Sequence, residues 1–268
     1  MKRVMAGRLF LLNLLLMIPL LAIPSFGQTS PSSLIANVGA RTALSLDGNW
    51  NTIIDLDNAK AQLRDVIARD QNRAAIGLWS MSNETPISPE RTTFLKALAE
   101  YARQLDTTRL ITSAMNRVEH AGEVRTFNDP LGESLDVLGL NQYIGWYEGR
   151  PEDADRAQWE FACQKPVIIS EFGGGAQYGL HGDSATRFTE EYQANLFQHQ
   201  IAMLQRMPGL AGMTPWVLMD FRSPRRFLPG IQDYYNRKGL ISDRGQKKQA
   251  FYVLQKFYRE KQGKESDR

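Results

Sequence analysis

Cysteine and histidine are scarce in this chain of 268 residues, which contains one cysteine and three histidines. A single cysteine, Cys163, excludes an internal disulfide, so the hydrophobic core would have to hold an exported form of the chain together. The histidines, His120, His181 and His199, have no acidic partner at the spacing of metal ligands. The sequence therefore predicts no metal and no cofactor.

A strong charge of one sign is also lacking, as is a glycine loop of the phosphate-binding type. The formal net charge is +3, and basic residues at the amino terminus are part of it. Arg222, Arg225 and Arg226 are interrupted by proline, which indicates a loop rather than a helix that follows phosphates. The glycines at 173–175 precede neither a lysine nor a helix start, so they predict a tight turn. Nucleic acid is therefore not an expected partner.

Long apolar runs are absent except at the amino terminus. Lys2 and Arg3 precede a nearly unbroken apolar stretch from Leu9 to Ile23, and small residues follow up to Gly27. This order is typical of a secretory signal peptide cut after Gly27. A membrane anchor is the alternative, but the run is short of the roughly 20 residues that a span needs. We therefore expect a signal peptide at residues 1–27, no stable membrane span, and a periplasmic or extracellular location.

The next two segments differ in composition from each other and from the rest of the chain. Residues 28–40 are rich in serine, proline and glycine, which is typical of a linker. Residues 41–58 contain an Asp47-Gly48 turn signal between apolar residues, and Ile53-Ile54 follows as a short strand. We interpret residues 41–58 as the first hairpin, or a remnant, of a β-sandwich.

From residue 60 onwards apolar strands alternate with amphipathic helices. This alternation predicts a parallel sheet covered by helices, either a (β/α)-barrel or an open doubly wound sheet. The predicted strands are Ala75–Met81, Arg109–Ser113, Leu135–Asn141, Pro166–Ser170 and Leu210–Leu218. The predicted helices are Lys60–Asp70, Pro89–Leu105, Ala154–Cys163, Glu190–Arg206 and Lys247–Glu260. Five strands are fewer than the eight of a complete barrel.

Two of these strands end in a glutamate. The run from Leu78 leads to Glu84 before Pro86, and the run from Val167 leads to Glu171 before Gly173. The carboxyl ends of parallel strands meet at one edge of a sheet, so both carboxylates are expected there. Two carboxylates facing each other are what glycoside hydrolysis requires, and they favour the barrel over the open sheet.

At this point several motifs resemble those of glycoside hydrolase family 2, most closely the β-glucuronidases. The resemblance runs from about Lys60 to Tyr258, and Arg41–Trp50 resembles the start of the family's first sandwich domain. The motifs are Ile67–Asn72, Trp79–Pro86, Leu140–Tyr147, Ser170–Gly173, Gly179–His181, Glu190–Gln193 and Asn236–Gly239.

The resemblance implies a fold as well as a chemistry. It makes residues 60–262 a partial catalytic (β/α)8 TIM barrel in which strands 4–8 are present and strands 1–3 are missing. The expected fold class is therefore α/β, with a short β-sandwich remnant at the amino end. We expect five parallel strands in chain order, one open side, and Ala75–Met81 or Leu210–Leu218 at the edge.

The resemblance also assigns the two glutamates. It implies that Glu84 is the general acid/base and that Glu171 is the nucleophile. Glu84 has to be protonated at the working pH, so we expect apolar surroundings near Trp79 and Met81. Glu171 has to stay ionised, and Tyr143 is the expected hydrogen-bond donor. In a retaining enzyme the two carboxyl groups lie about 5 to 5.5 Å apart.

Five further residues are implied to bind substrate. Asn83 is expected at the sugar 2-hydroxyl, and Trp216 is expected to stack on the pyranose ring, with core packing as the alternative. Asn236 and Lys238 match the Asn-x-Lys pair of β-glucuronidases and are expected at a uronate carboxylate, with an exposed polar loop as the alternative. Tyr147 is a further candidate for that carboxylate.

Three functions remain open at this stage. The first is a retaining β-glycosidase that hydrolyses β-D-glucuronides through two glutamates. The second is an inactive barrel fragment or a protein that binds carbohydrate or a partner without catalysis. The third is a neutral glycosidase of the β-galactosidase type. The expected partner is a β-glycoside, and a homo-oligomer is left open.

Overall fold

The computed structural model of the protein describes residues 55–116 and 118–266. The predicted signal peptide and linker, and residues 41–54 of the predicted sandwich, lie outside these ranges. No helix within them is long and apolar enough to cross a membrane. The helices are α1 (Leu56–Asp70), α2 (Pro89–Leu105), α3 (Glu190–Leu204) and α4 (Gln249–Ser266). The strands are β1 (Leu78–Asn83), β2 (Leu110–Met115), β3 (Glu119–Ala121), β4 (Val124–Phe127), β5 (Leu138–Asn141), β6 (Gln158–Phe161), β7 (Val167–Glu171), β8 (Leu210–Met213), β9 (Phe221–Arg222) and β10 (Tyr235–Asn236).

The main sheet has five strands in the order β1-β2-β5-β7-β8. Every neighbouring pair is parallel. The prediction of five parallel strands in chain order is confirmed. Either the first or the last strand was expected at the edge, and both lie there. Because the strands are parallel, their carboxyl ends share one edge, and the loops after them converge there.

The core lies between this sheet and the helices that cover it. Ile111, Leu138, Leu140 and Ile169 come from three adjacent strands and are fully buried. Close packing also depends on a glycine, since a Cβ at Gly139 of β5 would collide with the carbonyl of Ser113 on β2. A continuous apolar layer of this kind is expected for parallel strands buried on both faces.

Local sequence signals explain where the helices begin. Asp55 caps α1 and accepts a hydrogen bond from the Asp57 amide at 2.9 Å. Ser88 caps α2 in the same way at 3.1 Å, with Pro89 in the first turn, and Thr189 caps α3. Such caps satisfy amide groups that the helix itself leaves unpaired. Helix α1 begins at Leu56, so residues 56–58 are helical. The prediction that they belong to a β-sandwich remnant is therefore wrong.

A second, three-stranded sheet was not predicted. Its order is β3-β4-β6, with β3 and β4 antiparallel and β4 and β6 parallel. The predicted helix Ala154–Cys163 is therefore wrong, because Pro151–Asp155 forms a short 3-10 helix and Gln158–Phe161 is the strand β6. Trp159 and Phe161 alternate at the spacing of a strand. Their partner β4 lies more than 30 residues earlier in the chain, so no local signal indicates the pairing.

The segment after β8 also differs from the prediction. Strand β8 ends at Met213, whereas the predicted strand continued to Leu218. Beyond it, β9 and β10 form a small antiparallel pair in which Tyr235 faces Arg222 and Asn236 faces Phe221. This pair closes the loop of residues 223–234 and brings Asn236 and Lys238 back to the main sheet.

The open sheet leads to a prediction about self-association. Strand β8 has β7 as its only neighbour in the main sheet, so no described strand pairs with its other edge, although the Met213 carbonyl accepts the Tyr258 hydroxyl at 3.2 Å. Ala211 on this strand is exposed, and a lysine there should discourage edge-to-edge pairing. We expect Ala211→Lys to reduce any concentration-dependent association measured by analytical ultracentrifugation.

The matched control is Ala185→Lys, which adds the same charge at an exposed position in a loop. An equal reduction in both variants would mean that net charge, rather than the open edge, controls association.

Candidate active site

Both glutamates lie at the carboxyl edge of the main sheet. Glu84 directly follows β1, has a left-handed backbone conformation with φ of 51°, and donates its amide to the Ala114 carbonyl at 2.8 Å. Glu171 is the last residue of β7 and pairs in register with Asn141 of β5. Two strands that are not neighbours thus place their carboxylates on the same edge.

Asn141 lies between the two carboxylates and connects them. Its amide nitrogen donates to Glu84 Oε1 at 3.0 Å and to Asn83 Oδ1 at 3.1 Å. Its carbonyl oxygen accepts from Ser170 Oγ at 2.7 Å, which fixes the orientation of the amide. Asn141 is only 3% exposed, so these hydrogen bonds are shielded from water. Asn83 and Glu84 are thereby held beside the end of β7.

Tyr143 is the closest partner of Glu171. Its hydroxyl donates to Glu171 Oε2 at 2.6 Å, the hydrogen bond expected between these two residues. Burial raises the pKa of Glu171, and the charge of Glu84 adds to that rise. Hydrogen bonds from Tyr143 and Asn141 and the charge of Lys238 act in the opposite direction. Burial and the bond to Glu171 also raise the pKa of Tyr143, so the phenol stays a proton donor.

The apolar cover expected around Glu84 is absent from the described part of the chain. Glu84 and Asn83 are both exposed. Trp79 points into the core instead, where its indole donates to Asp106 Oδ2 at 2.9 Å. Successive residues of a strand face opposite sides, so Trp79 and Met81, which are two residues apart, share a face and pack under the helices. The expectation that these two residues shield Glu84 is wrong for this reason.

A second group of polar residues surrounds Lys238. The ammonium of Lys238 donates to the Tyr147 hydroxyl, and it lies 4.5 Å and 4.3 Å from the ring centroids of Tyr143 and Tyr147. Arg226 donates to the same Tyr147 oxygen at 3.3 Å. Two cations and a phenol therefore meet at one point, close to the residue that binds Glu171.

The pKa values of this group depend on burial and on the cations. Lys238 is 4% exposed, and burial lowers its pKa while the bond to Tyr147 raises it. Burial would raise the pKa of Tyr147, but the hydrogen bonds and charges of Lys238 and Arg226 outweigh it and lower that pKa. A buried ammonium without a full opposite charge is costly, so an anion bound here would relieve the cost.

Asn236 supports the loop rather than pointing at an open space. Its side-chain oxygen accepts the Lys238 amide at 3.1 Å, and the residue is 6% exposed. Both members of the Asn-x-Lys pair are therefore buried, which excludes an exposed polar loop.

The backbone on either side of Lys238 is held by a buried ion pair. Lys248 and Asp220 contact each other at 2.8 Å, and both side chains are fully buried. Asp220 accepts the Gly239 amide at 2.8 Å, while Lys248 donates to the Arg237 carbonyl at 3.1 Å. Burial raises the pKa of Asp220 and lowers the pKa of Lys248, each against the attraction of the partner's charge. Two hydrogen bonds, one from each member of the ion pair, thus fix the backbone of the residues before and after Lys238.

Trp216 lies after β8 and is half-buried. Its amide donates to the Phe172 carbonyl at 2.9 Å, and its ring meets Phe221 edge to face with centroids 6.3 Å apart. Phe172 directly follows Glu171, so Trp216 is held near that glutamate. The sugar-stacking role stays a prediction.

Several residues of the site were not singled out from the sequence. Asn141 lies inside the Leu140–Tyr147 motif at a strand end, and that position could have indicated it. Arg226 belongs to the arginine cluster that was interpreted only as a loop. Asp220 and Lys248 are 28 residues apart and are joined only by tertiary contact.

Curated proteins similar to this chain are β-glucuronidases. The protein from Chlorocebus aethiops is 30% identical over 219 residues, which is 76% of this chain and 32% of the relative. The protein from Paenibacillus borealis is 31% identical over 201 residues, which is 72% of this chain and 32% of the relative. The chain spans about a third of the length of the curated relatives it matches.

Solved structures are similar over the same share of the chain. The β-glucuronidase of Dictyoglomus thermophilum matches with a TM-score of 0.63 and 27% identity, over 76% of this chain and 35% of that one. An uncultured Clostridium β-glucuronidase matches with a TM-score of 0.63 and 25% identity, over 76% and 36%. A β-galacturonidase from Eisenbergiella tayi, at 23% identity and a TM-score of 0.65 over 76% and 37%, shares the fold.

A family model agrees with the geometry of the sheet and with these relatives. The model described as glycosyl hydrolases family 2, TIM barrel domain, matches residues 35–261. The described part of that match contains the five-stranded parallel sheet and both glutamates. The chain therefore belongs to glycosyl hydrolase family 2.

Proposed function

We propose that the chain is a retaining β-glycosidase that hydrolyses β-D-glucuronides by double displacement. The observation that carries the proposal is the hydrogen-bonded series in which Asn141 contacts Glu84 and Tyr143 contacts Glu171. The two carboxylates lie at the same sheet edge in different environments, since Glu84 is exposed and Glu171 is half-buried. Different environments are what the roles of acid/base and nucleophile require.

Each glutamate acts twice in this mechanism. In the first step the Glu171 carboxylate attacks the anomeric carbon, the glycosidic bond breaks, and Glu84 gives its proton to the leaving oxygen. In the second step Glu84 takes a proton from a water molecule, whose oxygen attacks the same carbon and frees Glu171. Two inversions at the anomeric carbon leave its configuration unchanged. The carboxyl separation of about 5 to 5.5 Å that this requires is part of the proposal.

The preference for uronides is proposed from the group around Lys238. A uronate carboxylate would replace the phenol oxygen as the counter-charge of Lys238, and Arg226 would be a second donor. Asn83 is proposed to bind the 2-hydroxyl group and Trp216 to stack on the ring. Relatives named β-glucuronidase support this choice over a neutral glycosidase. The exposed Glu84 keeps an inactive fragment as the competing interpretation.

The first prediction from this proposal separates the two carboxylates by chemical rescue. Glu171→Ala and Glu84→Ala should each lower the hydrolysis of 4-nitrophenyl β-D-glucuronide by about a thousandfold or more. Added azide should rescue Glu171→Ala with α-glucuronosyl azide as product, because a single displacement inverts the carbon. The same addition to Glu84→Ala should give β-glucuronosyl azide, because azide then attacks the covalent intermediate. The products are identified by NMR.

The control for this experiment is Glu100→Ala, which removes an exposed carboxylate from α2. A wild-type chain that is as inactive as Glu171→Ala would support the inactive-fragment interpretation. Azide products of the opposite configuration would exchange the two roles.

The second prediction concerns pH. The nucleophile must be ionised, so kcat/KM should fall as the pH drops through the pKa of Glu171, which burial raises. Tyr143 donates to the ionised form and so lowers this pKa. Tyr143→Phe removes that bond and should move the acid limb of the kcat/KM profile to higher pH by roughly one unit. Tyr252→Phe on α4 is the control, and an unmoved limb in Tyr143→Phe would contradict the assignment.

The third prediction concerns the charge of the sugar. Lys238→Ala should lower kcat/KM for aryl β-glucuronides roughly 10- to 150-fold, the value of one charge-assisted hydrogen bond. Any activity on aryl β-galactosides should stay unchanged, because those substrates have no carboxylate. Arg225→Ala, which removes an exposed charge from the neighbouring loop, is the control. An equal loss on both substrates would leave a general β-glycosidase.

A further inference from the structure

A cleft beside Glu84 adjoins the group around Lys238, because Tyr143 and Tyr147 belong to both. Its volume is about 250 Å³, less than the roughly 300 to 1,000 Å³ of a pocket for a drug-sized ligand. Glu84 and Asn141 form one end, and the three-stranded sheet that the sequence did not predict forms a wall. The lining includes His120, Arg125, Gln142, Tyr147, Glu148 and Trp159. The proposed acid/base thus faces a small cleft with polar and aromatic walls.

The register of the small sheet arranges this wall. His120 of β3 is paired with Arg125 of β4, and Arg125 is paired with Trp159 of β6. Residues paired across strands have side chains on the same face, so these three side chains form a row. The row turns one aromatic and two nitrogen-bearing side chains toward the cleft.

The polar groups of the cleft offset each other in charge. Arg125 lies 3.4 Å from Glu148, and its guanidinium contacts the His120 ring nitrogen at 2.6 Å. His120 Nε2 is 3.8 Å from the other Glu148 oxygen. An anionic occupant would lie against the carboxyl groups of Glu84 and Glu148, which disfavours it. An apolar occupant would cover Arg125 and Glu148 without offering them hydrogen-bond partners. A neutral group with many hydroxyls can both donate to Glu148 and accept from Arg125.

The walls also hold hydrogen-bond donors that have no partner among the described residues. These are Arg125 Nε, Gln142 Nε2 and Trp159 Nε1, and all three are buried. A buried donor without an acceptor costs about 1 to 3 kcal/mol, so these walls carry a polar cost that an apolar occupant would not relieve. Tyr147, which is 58% exposed, adds an aromatic surface at the boundary with the Lys238 group.

We propose that this cleft binds the leaving group and that the leaving group is a neutral pyranose sugar. The substrate would then be a uronic acid β-linked to a second sugar rather than to an aromatic or lipid aglycone. The inference rests on the proposed function, because Glu84 would protonate the oxygen that joins the two sugars. Arg125 and Glu148 bind its hydroxyl groups, and Trp159 supplies an apolar wall for its ring.

The test measures binding by isothermal titration calorimetry, in the full chain with Glu171→Gln to prevent turnover. The ligands are methyl β-D-glucuronide, β-D-glucuronosyl-(1→4)-D-glucose and methyl β-D-glucopyranoside. The disaccharide should bind about tenfold more tightly than methyl β-D-glucuronide, since its second sugar forms one or two additional hydrogen bonds. Arg125→Met and Trp159→Ala should abolish this tenfold gain and leave the affinity for methyl β-D-glucuronide unchanged.

Arg156→Met is the matched control, because Arg156 also pairs with carboxylates but does not line the cleft. No gain from the second sugar, or an equal loss for both uronides in the cleft variants, would overturn the proposal. Loss of uronide binding in every variant would count against the proposed function instead. In that case the titration with methyl β-D-glucopyranoside decides whether the cleft binds a neutral sugar. Binding that is lost in Trp159→Ala supports the proposed sugar site, and an absence of binding overturns it.

Discussion

The hydrogen-bonded pairing of β5 with β7 is the constraint on which the rest of the site depends. The register shifts after Leu140, so that Asn141 pairs with Glu171 rather than with the residue before it. From this position the Asn141 amide reaches back to Glu84, which comes from a strand two places away in the sheet. A slip by one residue would turn every side chain of β5 to the other face and remove the connection. The relation between the two glutamates is therefore a property of the sheet.

The loop that carries Lys238 is stabilised independently by Asp220 and Lys248. Two charges with no solvent exposure are expensive to bury, and such a pair is seldom worth its desolvation cost for stability alone. Here the same two side chains also bind the backbone of Arg237 and Gly239. A role in fixing the direction of Lys238 explains why a charged pair, rather than an apolar contact, occupies this position. The proposed uronide preference would thus depend on residues that do not touch the proposed carboxylate site.

The open side of the sheet and the small three-stranded sheet have opposite effects on Glu84. On the open side no described residue shields the carboxylate, and Glu84 is exposed. On the other side β3, β4 and β6 build a cleft whose walls combine Arg125, Glu148 and Trp159. The described residues therefore enclose the proposed acid/base only on the side of the cleft. This asymmetry is the basis for proposing that the cleft binds a sugar as leaving group.

The sequence by itself determined the features that depend on neighbouring residues. Apolar runs ending in Glu84 and Glu171 predicted strand ends with carboxylates, and Pro89 marked the start of α2. Tertiary structure alone decided the pairing of β4 with β6, which overturned the predicted helix Ala154–Cys163, and the contact of Lys248 with Asp220. It also turned Trp79 into the core and left Glu84 exposed. Strand and helix signals are local in the chain, whereas register and side-chain contacts join residues far apart in it, and these set the surroundings of each glutamate.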